Sequence, residues 1–203
     1  MRIAGGNEKG RRLKGAVSSG TRATTERVRA AIFNILDPQQ YQGGRVLDLF
    51  AGSGSLGIEA LSRGAGSADF VEWDRRQSAV ITSNLVTTGF ASQSHVHCID
   101  VMQALLTLPG NYDLVLLDPP YKMGGLDGLM EKIASQARLV VDGGAVIAGH
   151  SKHEELREMY GLLQLTSHRQ YGDNVVDFFV YKQNPLEELA DCPETGEDKD
   201  QLW

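Results

Sequence analysis

Asp48-Leu49-Phe50-Ala51-Gly52-Ser53-Gly54-Ser55-Leu56-Gly57 follows the short apolar run Val46-Leu47 and opens into a helix-like run from Leu56 to Leu61. The order is strand, glycine loop, helix. Glycines at Gly52, Gly54 and Gly57 let the backbone turn tightly and approach a ligand closely. A second signature, Asp118-Pro119-Pro120-Tyr121, ends another apolar strand. These two stretches set an expectation for the chain. The first holds a nucleoside-bearing cofactor, and the second presents a planar amine to it.

Outward from the loop, strands and helices alternate. Strands are expected at Arg45–Phe50, Ala68–Trp73, His95–Ile99, Asp113–Leu117 and Ala145–Ala148. Helices are expected at Leu56–Arg63, Arg75–Thr88, Val101–Leu108, Leu126–Ala137 and Lys152–Tyr160. Leu163–His168 and Val175–Tyr181 close the pattern as a strand pair around Tyr171-Gly172-Asp173-Asn174. This alternation predicts a doubly wound, mostly parallel α/β sheet of Rossmann-like type, with ligands bound outside the carboxyl ends of the strands. Before it, Thr24 or Thr25 caps a helix running to about Leu36, with Val28, Ile32, Ile35 and Leu36 on one apolar face and Arg27 and Arg29 on others. Asp37-Pro38 ends that helix. The glycine-rich, basic residues 1–22, poor in apolar anchors, read as a β-hairpin or flexible arm.

The 203 residues bear a net charge of -6, with 41% hydrophobic residues, and suggest one soluble domain. No apolar run of about 18 residues occurs, and no apolar signal region opens the chain, so a cytoplasmic protein is expected. The two cysteines, Cys98 and Cys192, have no metal spacing. Cys98 reads as a small buried hydrophobe. The five histidines are dispersed, so no metal is expected.

Charge is segregated. Residues 184–203 sum to -6 and residues 1–29 to +6. A basic arm (1–23) precedes a catalytic domain (24–183) and an acidic, disordered tail (184–203). Basic arms concentrate polyanions by counterion release. Arg11, Arg12, Lys14, Arg22, Arg27 and Arg29 are the candidate phosphate contacts.

G-x-G-x-x-G alone fits NAD enzymes and methyl-donor enzymes alike. Three acids sharpen it. Asp48, before the loop, would clash with a pyrophosphate and suits a cationic or amino-bearing ligand. Glu72, ending strand two, is placed to accept from ribose hydroxyls. Asp100 either accepts from an adenine amine or caps the helix behind it. A ligand with amino-acid, ribose and adenine parts fits: S-adenosylmethionine. Phe50, Ala51, Ser53, Trp73 and Val101 flank these positions and complete the cofactor set. At Asp118–Tyr121, two prolines remove backbone donors and leave acceptors for an exocyclic NH2. Tyr121 stacks on the base, which has to be flipped out or unpaired.

Asp48–Ala65, Glu72 and Asp118–Tyr121 resemble class I S-adenosylmethionine-dependent methyltransferases acting on exocyclic amines. Arg2–Leu13 (R-I-x-G-G…G-R-x-L) and Thr24–Leu36 (T-T-E-R-V-R-x-x-x-F-N-x-L) narrow the resemblance to the RsmD family. It covers roughly residues 1–182. It implies a seven-stranded Rossmann-like sheet, an N-terminal hairpin that helps grip RNA or the assembling subunit, and methylation of a guanine N2 amine in 16S rRNA of the small ribosomal subunit. The charged surface and single sheet suggest a monomer. Two features depart from the family pattern: Ala23 stands where the family usually has proline, and the acidic tail lies outside it. Guanine rather than adenine rests on the resemblance. An adenine-N6 methyltransferase, a non-catalytic RNA-binding assembly factor and an NAD dehydrogenase are the competing readings.

Overall fold

A computed structural model describes residues 1–15, 25–120 and 123–183. Arg22, Tyr121, Ala23, Cys192 and the acidic tail therefore lie outside the described residues. Among the described residues, besides two short 3-10 turns, five α-helices and eight strands run in the order α1 (Glu26–Ile35), β1 (Arg45–Asp48), α2 (Ser55–Ser62), β2 (Ser67–Val71), α3 (Arg75–Thr88), β3 (Ser94–His97), α4 (Val101–Thr107), β4 (Tyr112–Leu117), α5 (Leu126–Ser135), β5 (Val140–Ser151), β6 (Met159–Tyr160), β7 (Leu163–Tyr171) and β8 (Asn174–Tyr181). They form one sheet ordered β3-β2-β1-β4-β5-β8-β7-β6. β1 to β5 are parallel, and β8, β7 and β6 add antiparallel. The order reverses between β1 and β4, which opens a crevice at their carboxyl ends.

Apolar side chains cover both faces, as continuous strand runs such as Leu114–Leu117 require. On one face Val46, Phe70, Leu114, Leu116 and Ile147 pack against Ile32, Leu56, Ile58 and Ile81. On the other, Leu47, Val115, Leu117 and Val146 pack against Leu105, Leu126, Met130 and Ile133. Helix starts follow capping chemistry. The Thr25 hydroxyl accepts from Val28 N at 3.3 Å, and Asp74 and Asp100 cap α3 and α4. Each cap is worth about 1 kcal/mol. α3 ends where Gly89 turns left-handed at φ 81°. Among the described residues, no helix is long and apolar enough to cross a membrane.

The elements and their packing differ from the sequence reading in several places. The sheet has eight strands, the extra one being the two-residue edge β6. Lys152–Tyr160 is not a helix. Its charges are drawn to α5 instead: Arg157 pairs with Asp127 at 3.0 Å and with Glu131, Tyr160 OH donates to Asp127 at 2.7 Å, and Glu154 accepts from Leu126 N at 3.2 Å. Ile35 faces solvent, and Phe33 takes its place in the core. Cys98 is exposed. Residues 1–13 fold back on themselves through an Arg2–Arg12 bridge, in keeping with the hairpin alternative, but buried Ile3 and Leu13 anchor them where few apolar anchors were expected. Alternation of basic and apolar residues concealed those anchors.

Candidate active site

The glycine loop leaves β1 and turns into α2. Gly52 N donates to Glu72 Oε2 at 3.0 Å, and Asp74 N donates to Glu72 Oε1 at 2.9 Å. Glu72 thus ties the loop to the end of β2, and its partial burial raises its pKa against those two N–H donors. Gln77 of α3 donates to Gly52 O at 2.7 Å, and Asn84 donates to Ser53 O at 2.8 Å. A side chain at Gly57 would place its Cβ 2.4 Å from a ring carbon of Phe70. Gly57 is therefore the close-packing glycine of helix against strand. Gly57→Ala is expected to destabilise the fold by about 1–3 kcal/mol through overpacking. Chemical denaturation checks this, and an unchanged midpoint would contradict the packing role.

Asp48 is fully buried beneath the loop. Its Oδ2 accepts from Gly57 N at 3.0 Å, while Oδ1 has no hydrogen-bond partner among the described residues. Desolvation pushes its carboxyl up to about 7, the Gly57 N–H opposes this, and the negative charges of Asp118 and Glu72 add to it. The sign follows from a folded pKa raised above the unfolded 3.8. The folded state binds the extra proton, so this contribution is full at low pH and falls as pH climbs from about 4 to about 7. Asp48→Asn should gain stability relative to the wild type across that window. A pH-independent difference between their unfolding free energies would contradict it.

A cavity of about 430 Å³ opens at the carboxyl ends of β1 to β4. Of the expected cofactor residues, Phe50, Gly52, Glu72, Trp73, Asp100 and Val101 line it. Asp48, Ala51, Ser53, Gly54 and Gly57 stand behind it and shape the loop. Asp48 does not present its carboxylate to the cavity, as the sequence reading expected, because the Gly57 amide draws it inward. Asp100 lines the cavity and also caps α4, accepting from Met102 N at 2.7 Å. Asp118 and Pro120 close the wall at the end of β4, with Pro119 buried behind them. Sequence reasoning missed Leu49, Val71, Asp74, Gln77, Ile99 and Met123 as lining residues. Asp74 and Gln77 had a legible signal, lying at the start of the helix just after Glu72.

Asp118 alone among the described residues lines both this cavity and a narrow one of about 20 Å³ on its other side, toward α1, β5 and β8. A Cβ at Gly149 would lie 2.9 Å from Asp118 Oδ1, so the carboxylate rests directly against the β5 backbone. The larger cavity is walled by Glu72, Asp74, Asp100 and Asp118, and none of its described lining residues is Lys, Arg or His. That set of acceptors fits a ligand rich in positive charge, hydroxyls and amines, such as S-adenosylmethionine. It offers no side-chain cation to a dinucleotide pyrophosphate. Among the described residues, no group of three or more His, Cys, Asp or Glu could hold a metal ion.

The expected phosphate contacts separate into two kinds. Arg12, Lys14 and Arg27 are exposed, and Arg11 is exposed but pairs with Glu8 at 2.6 Å. Arg29 is fully buried: its Nε donates to Glu59 Oε2 at 3.1 Å, and it also donates to Arg2 O. Burial removes Arg29 from any phosphate. Its helical position suggested a solvent face, but the returning hairpin covers that face.

The sheet and its strand-end cavity are those of the class I methyltransferase fold. The chain belongs to the family described as Conserved hypothetical protein 95, whose profile matches residues 1–180; this is the RsmD family of the resemblance. It is 39% identical to the Bacillus subtilis protein YlbH over 186 residues, covering 90% of this chain and 99% of that one. It is 41% identical over 127 residues to an Escherichia coli protein named Ribosomal RNA small subunit methyltransferase D, covering 63% of each. The solved structure of the Escherichia coli protein yhhF superposes with a TM-score of 0.80 at 29% identity, covering 91% of this chain and 99% of that one.

Proposed function

We propose that the protein is an S-adenosylmethionine-dependent rRNA methyltransferase that methylates the N2 amine of a guanine in 16S rRNA. The observation that carries this reading is Asp118. Its carboxylate ends the central strand β4, borders a cavity of cofactor size and acidic character, and is followed by two prolines. The E. coli relative's name, with its small-subunit rRNA substrate, supports the choice of RNA.

Glu72 and Asp100 would hold ribose hydroxyls and the adenine amine, with Phe50, Trp73 and Val101 supplying apolar surface. The sulfonium supplies a methyl group that is already activated. The chain's own part is positioning. The Asp118 carboxylate and the carbonyls of the proline loop accept the two N2 hydrogens, which aims the nitrogen lone pair at the methyl carbon. In the transfer the N–C bond would form as the S–C bond breaks, the electron pair of that bond going to sulfur, and the proton leaving nitrogen would pass to the Asp118 carboxylate or to water. The partial burial of Asp118 raises the worth of its carboxylate over its value in water. Tyr121 is proposed to stack on the base. Asp48 stabilises cationic charge from beneath the loop without touching it.

Arg11, Arg12, Lys14, Arg22 and Arg27 are proposed to meet phosphates, in a monomer acting on the small subunit in the cytoplasm. Charge reversal at Arg11 and Arg12 is expected to weaken RNA binding and flatten its salt dependence. Filter binding from low to moderate salt measures this, and unchanged affinity and slope would remove the hairpin from the RNA interface. An adenine-N6 reading has one observation in its favour. A tRNA1(Val) (adenine(37)-N6)-methyltransferase is 32% identical over 85 residues, although those cover only 41% of this chain. Nuclease digestion of labelled product separates the two by the modified nucleoside released.

A further inference from the structure

One side chain, Asn84, bonds both the hairpin and the cofactor loop, beside a direct contact of Ser53 Oγ with Met1 Sδ at 3.5 Å. Asn84 of α3 is 1% exposed, although a carboxamide is costly to bury unless its polar atoms are paired. Every polar atom of it is used. Oδ1 accepts from Lys14 N at 2.8 Å, and Nδ2 donates to Lys14 O at 3.1 Å and to Ser53 O at 2.8 Å. Asn84 therefore clamps the basic returning strand of the hairpin on one side and the middle of the glycine loop on the other. Lys14 Nζ donates to the neighbouring Ser83 Oγ at 2.9 Å, which seats the same strand on α3 a second time.

Three further hydrogen bonds lock the hairpin to α2, the helix that the loop opens. Ala4 N donates to Glu59 Oε2 at 2.8 Å. Ser62 Oγ donates to Gly5 O at 2.7 Å and accepts from Glu8 N at 3.0 Å. The hairpin thus touches both ends of the loop–helix unit that shapes the cofactor cavity. Gly52 of that loop and Gln77 of α3, which both line the cavity, are bonded to each other.

We infer that Asn84 is a positioning residue that couples RNA at the hairpin to the cofactor at the loop, so that each ligand tightens the other. The inference rests on the reading that the hairpin meets RNA. RNA held across Arg11, Arg12 and Lys14 restrains the returning strand, and the carboxamide passes that restraint to Ser53 O. The loop is then already ordered when the cofactor arrives, and the second ligand loses less conformational freedom on binding. Linkage makes the effect reciprocal.

The test measures S-adenosylhomocysteine affinity with and without saturating unmethylated small ribosomal subunits, by equilibrium binding of labelled ligand to wild type and to Asn84→Ala. The expected wild-type ratio is about tenfold, within the usual range of coupling between sites. In Asn84→Ala the ratio should fall to within twofold of one. A residue that only stabilised the fold would weaken both affinities and leave the ratio intact. Hydrogen exchange at the Ser53–Gly57 amides of the wild type gives a second readout that needs no variant. Subunit binding should slow it several-fold. Subunits that bind while the ratio stays at one, or a ratio unchanged in Asn84→Ala, would overturn the coupling alone. Subunits that fail to bind the wild type at low salt would overturn the RNA reading together with it.

Discussion

Asp118→Ala is expected to lower kcat by about a hundred- to a thousandfold, the effect of removing one preorganised electrostatic group from a reacting centre. S-adenosylhomocysteine affinity should change by no more than a fewfold. The split follows from geometry. Asp118 is one residue of a wall that also includes Phe50, Gly52, Glu72, Trp73, Asp100 and Val101. The missing carboxylate no longer holds an amine hydrogen, so the lone pair is left delocalised into the base. Single-turnover methyl transfer and calorimetry separate the two quantities. Turnover equal to wild type would remove Asp118 from the chemistry. A matched loss of both would make it a cofactor ligand instead.

The largest effect on stability is expected at Arg29. Arg29 and Glu59 are both completely buried, and Glu59 Oε1 also accepts from Arg63 Nε at 2.8 Å. Replacing Arg29 with Met leaves the Glu59 carboxylate short of a partner in a dry setting, at a cost of about 3–5 kcal/mol. For a domain of this size that lowers Tm by roughly 6–20 °C. Arg12→Glu, on the exposed strand of the same hairpin, should stay within about 0.5 kcal/mol of wild type. Thermal unfolding of the pair provides the comparison. Equal and small shifts would mean that Arg29 is not the buried tie described above.

The parallel part of the sheet was legible because its signals are local. Apolar runs, the glycine loop and helix-ending glycines lie within a few residues of the elements they define. α3 falls at Arg75–Thr88 as its pattern and Gly89 indicate. The acids at the ends of β2, β3 and β4 were legible for the same reason, since a strand end is a predictable place. What escaped depends on contacts between distant segments. Arg29 looks like a surface arginine until residues 1–13 return across α1. Lys152–Tyr160 has helix-forming residues, but its charges find better partners on α5. Asp48 has the chemistry of a ligand for a cation, yet the Gly57 amide turns it under the loop. Asn84 has no motif at all. Its importance comes from two backbone carbonyls and an amide that only the fold brings together.

The most direct measurement of the central claim is a labelled-methyl assay on small ribosomal subunits from cells lacking this protein, followed by digestion to nucleosides. N2-methylguanosine in the 16S rRNA digest is the predicted product. Label in N6-methyladenosine, or no label in the RNA of subunits that bind the protein, would contradict it.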